Sequence, residues 1–186
     1  MAEAIDWLGR LTPSTHTATF SGISQDYDSL LIKGYCQADS NSTSDWSNND
    51  CYVYLNGDTS GIYARGQMNC YGNISGMGTK YFSVNTNGTE IHFFGARKQY
   101  SGSNTNSWSN ITMQIYNYTA GASPSDDKVK KAILQSSGSN NLSNDCFVVN
   151  SSQICDLAAA VTSIEIKNFN NWVSGTWFDL YGIKVG

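Results

Sequence analysis

The chain has 186 residues, a net charge of −4 at neutral pH and only 14% charged side chains, and its length is that of one domain. Seventeen Gly, 12% aromatic residues and abundant Ser, Asn and Thr suit short strands joined by turns. This composition argues against a helical bundle, which needs Ala, Leu, Glu and Lys, and against a nucleic-acid binder, which needs a basic surface.

The first predicted element is a short apolar segment at the N-terminus. In residues 2–11, Ile5 and Leu8 are three apart and Trp7 and Leu11 are four apart, which allows a short helix with one apolar side. So short a helix must dock on another surface to be stable. We therefore expect residues 1–12 to form an arm that packs on its own domain or anchors the protein to a partner.

Residues 13–186 have the pattern of a single all-β domain. About nine or ten short, alternating or β-branched stretches are separated by polar turns. Residues 128–135 fit a strand or a helix, and the Ser and Gly runs beside them favour a strand. Because there are no crossover helices for a parallel sheet, the pattern predicts an antiparallel sandwich or barrel.

Turn signals predict how some of these strands pair. Asn-Gly-Asp at 56–58 predicts a tight turn that joins a strand at 51–55 to a partner strand at 62–69. A second hairpin turn is expected at 85–89, and the Gly-rich residues 72–80 are expected to be irregular.

The sequence contains no pattern typical of catalysis or metal binding. The spacing of its five cysteines fits neither a zinc site nor a redox Cys-x-x-Cys pair, so we expect mostly buried, reduced thiols. His16 and His92 lie outside any triad pattern. We expect no catalytic residue, metal or cofactor. We also expect no membrane span, since there is no run of about 18 apolar residues, and no secretory signal, since the N-terminus is acidic.

Aromatic residues are the remaining candidates for a binding site. Trp46, Trp108 and Trp172 lie in Ser- and Asn-rich stretches, the kind of setting in which rings and amides bind sugars. The alternative, which we favour, is that these rings close the ends of the hydrophobic core, because large aromatics dominate core burial.

Three stretches resemble a small β-sandwich module of tailed-phage virion proteins. Residues 18–35 are similar to its opening strand, turn and second strand, with Ser24 where the module usually has Pro. Residues 54–63 are similar to its Asn-Gly-Asp hairpin. Residues 160–184 are similar to its C-terminal pattern, A-I-T-S-I followed by F-x-L-Y-G-I-K. The resemblance extends from about residue 13 to the end of the chain.

The resemblance implies a jelly-roll-like sandwich, often trimeric, with a structural rather than a catalytic role. It implies that residues 56–58 form the turn and that Phe178, Leu180 and Ile183 fill the core. Our leading hypothesis is a capsid decoration (cement) protein on the phage head, made in the host bacterial cytoplasm, that binds the major capsid protein through Ile5, Trp7, Leu8 and Leu11. The alternative is a tail fibre component that contacts tail proteins and host surface glycan, the latter through Trp46 and Trp108.

Overall fold

The structure, a computed structural model, describes residues 4–39, 50–60, 63–73, 76–88, 90–94, 96–97, 108–119, 129–140 and 145–185. Within these ranges the chain forms thirteen strands and no helix. In chain order the strands are β1 (Ala4–Leu11), β2 (Thr17–Ser21), β3 (Ser29–Ala38), β4 (Asp50–Leu55), β5 (Tyr63–Asn73), β6 (Gly76–Gly88), β7 (Ile91–Phe94), β8 (Ala96–Arg97), β9 (Ser109–Tyr116), β10 (Val129–Asn140), β11 (Asp145–Asp156), β12 (Ser163–Asn168) and β13 (Trp177–Lys184).

The strands form two sheets of unequal size. The large sheet has the order β1-β13-β3-β9-β10-β11-β5-β6, with β8 paired to β3, and the small sheet has the order β2-β12-β4-β7. All pairs are antiparallel except the short β3–β8 pair. The chain crosses between the sheets at each step from β1 to β5. The predicted antiparallel, jelly-roll-like β-sandwich is therefore confirmed.

One face of each sheet lies in a shared core. Because successive side chains of a strand point to opposite faces, the apolar side chains of these strands face the core. From β13, for example, Phe178 and Leu180 are both buried there. The sheets are also joined by hydrogen bonds: the Gln153 side-chain amide on β11 donates to the carbonyl of His92 on β7 at 2.9 Å, and its oxygen accepts from the His92 N–H at 3.0 Å. The opposite face of the large sheet, directed away from the small sheet, is called the outer face below.

The helix predicted in residues 2–11 is wrong. The described part of this segment, Ala4–Leu11, forms β1, which pairs with β13 from Ala4–Lys184 to Leu11–Phe178. A β-bulge interrupts the register between Trp7 and Gly9. Pairing with β13 satisfies the backbone groups of a segment too short to be stable as an isolated helix.

Three local predictions around the turns are also wrong. Of the residues at 72–80, those that the structure describes (72–73 and 76–80) lie in β5 and β6, which form a long hairpin, and residues 85–88 continue β6. The strands on either side of the Asn-Gly turn do not pair: β4 lies in the small sheet and β5 in the large one. The turn itself is present, and it connects the two sheets. The strand predicted at 128–135 is confirmed for residues 129–135, which fall in β10; Lys128 lies outside the described residues.

Asn56 holds this corner in place. Asn56 and Gly57 both have left-handed backbones, with φ of 55° and 68°, and the Asp58 N–H donates to the Leu55 carbonyl at 3.1 Å. The Asn56 side chain donates to the carbonyl of Ala160 at 2.7 Å and accepts from the N–H groups of Thr162 at 2.8 Å and Ser163 at 3.1 Å. One residue therefore sets the turn and fixes it to the start of β12.

Candidate interaction surface

The edge strand β1 presents two of the four predicted anchor residues to solvent. Ile5 and Trp7 lie opposite Ile183 and Tyr181 of β13, and their exposed fractions are 57% and 62%. Large apolar side chains this exposed are notable when they are adjacent. The other two predicted anchors, Leu8 and Leu11, instead pack against the core.

An ion pair fixes β1 to β13. The Arg10 guanidinium donates Nε to Oδ1 and Nη2 to Oδ2 of Asp179, both at 2.7 Å, and lies 4.6 Å above the Trp177 ring. Trp7 Nε1 lies 3.5 Å from the same carboxylate. The hydrogen bond from Arg10 is the largest influence on Asp179 and lowers the pKa of its carboxyl group. The bidentate geometry is the strong form of this contact.

The three tryptophans that the sequence suggested as candidate binding residues have different environments. Trp46 lies outside the described residues. Trp108 is half-buried and stacks on Tyr35, with ring centroids 4.6 Å apart and an interplanar angle of 8°. Trp172 is buried and meets Phe178 edge-on at 5.3 Å. The core role is thus confirmed for Trp172, whereas Trp108 has one ring face covered by Tyr35.

A shallow groove of about 400 Å³ crosses β9, β10 and β11. The register places Gln114 beside Ile133 and Ile133 beside Ser152, while Thr112, Gln135 and Asn150 form the adjacent row. We call it the amide groove; its lining on the outer face is Thr112, Gln114, Ile133, Gln135, Asn150 and Ser152. The prediction from sequence missed these residues. The only signal was alternation within each strand, which does not indicate which strands lie side by side.

Titratable and thiol groups provide little chemistry in the described part of the chain. Burial raises the pKa of the Cys36 thiol to about 12 and that of Cys155 to about 11, so both remain protonated and weakly nucleophilic. No group of three His, Cys, Asp or Glu side chains among the described residues could hold a metal ion. His92 is buried on β7, where its ring lies 5.8 Å from that of Tyr52.

Comparison with known proteins adds no functional assignment. No family model and no curated protein matches the chain. One solved structure to which it is similar is peanut lectin with a 9-residue peptide: the identity is 9%, the TM-score is 0.29, and the alignment covers 100% of this chain and 93% of the lectin chain. A similarity at this level carries no argument about function. The search for membrane spans, made over the described residues, found no helix long and apolar enough to cross a bilayer.

Proposed function

We propose that this protein is a non-enzymatic structural component of a phage particle: a decoration protein that stabilises the head by bridging neighbouring capsomers. The observation that carries the proposal is the pair of exposed apolar side chains, Ile5 and Trp7, on an edge strand of the large sheet. The resemblance of residues 18–35, 54–63 and 160–184 to a phage virion module supports it.

In this role the major capsid protein binds at β1. The edge of a sheet offers backbone N–H and C=O groups to which another chain can add a strand. Burial of Ile5 and Trp7 adds roughly 25 cal/mol per Å² of apolar area, less the cost of association. Repetition of such a contact in a homotrimer would multiply a weak individual affinity.

Antibody labelling of purified virions in the electron microscope tests the location. Label spread over the head is the expected result. Label confined to the tail tip would contradict decoration and favour the tail alternative, and particles without label would contradict both.

Substitution tests the contact without removing the strand. Ile5→Thr with Trp7→Thr keeps two β-formers in β1 but removes the apolar surface, and it should lower binding to undecorated heads by roughly tenfold or more. Ile154→Thr, another exposed apolar residue of the large sheet, is the matched control and should bind normally. Deletion of residues 1–11 is a poorer test, because it would uncover the edge of β13.

A second candidate function is favoured by the aromatic group near Trp108. The stacked Tyr35 and Trp108 rings lie next to Trp177, whose centroid is 6.5 Å from that of Tyr35. In a tail fibre component, these rings and Trp46 would contact host surface glycan.

Adsorption to cells tests this second candidate. Replacing Trp46 and Trp108 by Ala should leave assembly intact and reduce adsorption. Phe169→Ala, which removes an aromatic side chain exposed next to the small sheet, provides the control. Normal adsorption of the double variant would count against a glycan role for these tryptophans.

A further inference from the structure

We propose that the amide groove is a binding site for a saccharide unit. The inference goes beyond decoration of the head, because that role assigns nothing to this part of the outer face. It is also distinct in chemistry from the glycan site predicted at Trp46 and Trp108, since the groove offers hydrogen-bonding amides in place of aromatic rings.

The composition of the groove matches the chemistry of a sugar. Its outer lining is uncharged: three amides, two hydroxyls and one aliphatic side chain, Ile133, which is 57% exposed. A pyranose ring has hydroxyl groups that both donate and accept hydrogen bonds, together with C–H faces that avoid water. Amide side chains supply donors and acceptors together, and Ile133 supplies an apolar surface.

All three amides are oriented before any ligand binds. Gln135 Nε2 donates to Asn150 Oδ1 at 3.0 Å, which leaves the Gln135 oxygen and the Asn150 amide nitrogen as an acceptor and a donor side by side. Gln114 Nε2 donates to Ser29 Oγ at 3.1 Å, so the Gln114 oxygen is held as a further acceptor. Side chains held in place lose less conformational entropy on binding.

The size and shape of the groove suit one or two sugar rings of a longer chain. Its volume of about 400 Å³ lies at the lower end of the range of ~300–1,000 Å³ for small-ligand sites. Beyond Ser152 the next strand presents Gly66, at which even an added Cβ would meet nothing within 4 Å. The groove is therefore open at Gly66, where a longer sugar chain can leave it.

The charges around the groove disfavour a basic peptide as the occupant. Lys33 lies opposite Thr112 on β3, and Lys131 lies two residues before Ile133 on β10, and both are exposed. Two cations repel a cationic ligand and tolerate a neutral or uronic-acid sugar.

Ligand-observed saturation-transfer NMR with the full chain tests the proposal. The probes are the methyl glycosides of glucose, galactose, N-acetylglucosamine and glucuronic acid, with the nonapeptide Gly-Ser-Gly-Ser-Gly-Ser-Gly-Ser-Gly as a non-sugar probe. We expect at least one glycoside to receive saturation. Ser152→Tyr, which fills the groove with a good strand former, should reduce its affinity by roughly tenfold or more. Thr19→Tyr, at an exposed position of β2, should bind as the unmodified chain does.

A second variant keeps the test independent of shape. Gln135→Leu with Asn150→Leu retains much of the side-chain bulk while removing both amides, and it should also lose the signal. The proposal is overturned if no glycoside receives saturation, if only the peptide does, or if transfer persists in both groove variants while melting curves show that they are folded. Binding of Ser152→Tyr to phage heads reports on the decoration role separately, because β1 is unchanged.

Discussion

Asn56 should contribute more to stability than its position in a surface turn suggests. Its side chain makes three hydrogen bonds to the backbone at residues 160–163, one donated to Ala160 and two accepted from Thr162 and Ser163. A net value of ~0.5–1.5 kcal/mol for each bond predicts a loss of about 1.5–4.5 kcal/mol in Asn56→Gly, which keeps the left-handed backbone but removes the bonds.

Two further substitutions separate the contributions at this position. Asn56→Ala should lose about 1 kcal/mol more than Asn56→Gly, since Ala is strained at a φ of 55°. Asn56→Asp should lose the least, about 1 kcal/mol, because its carboxylate still accepts from Thr162 and Ser163 and only the bond to Ala160 is lost.

Urea unfolding followed by tryptophan fluorescence measures the series, with an unchanged m-value as the check for two-state behaviour. Asn117 is the matched control. Its φ is 54°, but its side chain makes no hydrogen bond to another segment within the described residues. Asn117→Gly should stay within ~0.5 kcal/mol of the unmodified protein. Equal stability of Asn56→Gly and Asn117→Gly would refute the argument that the Asn56 side chain holds the corner.

Two other predictions concern the large sheet. A Cβ at Gly34 would lie 2.6 Å from Phe178 Cδ1 and 2.9 Å from a side-chain carbon of Ile111, so Gly34→Ala should cost ~1–3 kcal/mol of stability and lower the Tm by roughly 2–4 °C per kcal/mol. Gly66→Ala is the control and should be neutral or slightly stabilising. Equal melting temperatures of the two variants would contradict this prediction. The pKa of Asp179 is lowered in the folded state, so its pair with Arg10 contributes fully to stability above the usual Asp pKa near 3.8, and this contribution is lost as the pH falls through the folded-state pKa. Asp179→Asn should speed amide exchange in β1 at neutral pH and remove this acid dependence. Unchanged exchange would show that the ion pair does not hold β1.

The turn at residues 56–58 shows how far local sequence can predict this fold. Asn-Gly requires a tight left-handed turn, and that prediction is confirmed. The same turn can join paired strands or carry the chain between sheets, and the choice depends on more distant residues. Here the decisive partners of Asn56 lie more than 100 positions away, at Ala160, Thr162 and Ser163, so the turn motif predicts its conformation but not its partner strand.

The amide groove could not be predicted from the sequence for a related reason. Alternation along β10 places Ile133 and Gln135 on one face, and the same is true of Asn150 and Ser152 on β11. Their neighbours follow from the register of pairs such as Ile133–Ser152 and Gln135–Asn150. A shift of one residue in the pairing register would move the side chains of one strand to the opposite face of the sheet, and the groove would no longer form. The sequence of a single strand does not determine that register.

The helical spacing in residues 4–11 has a more specific origin, the β-bulge between Trp7 and Gly9. A bulge adds one residue to one strand, so side chains that share a face of β1 on either side of the bulge are three residues apart instead of two. Trp7 and Arg10 accordingly both contact Asp179, while Leu8 and Leu11 both pack against the core. A spacing of three is also that of successive turns of a helix. The spacing of Leu8 and Leu11 is therefore compatible with both structures, whereas Ile5 and Trp7 are exposed. The edge of β13 selects the strand, since it supplies hydrogen-bond partners that a two-turn helix would lack at its ends.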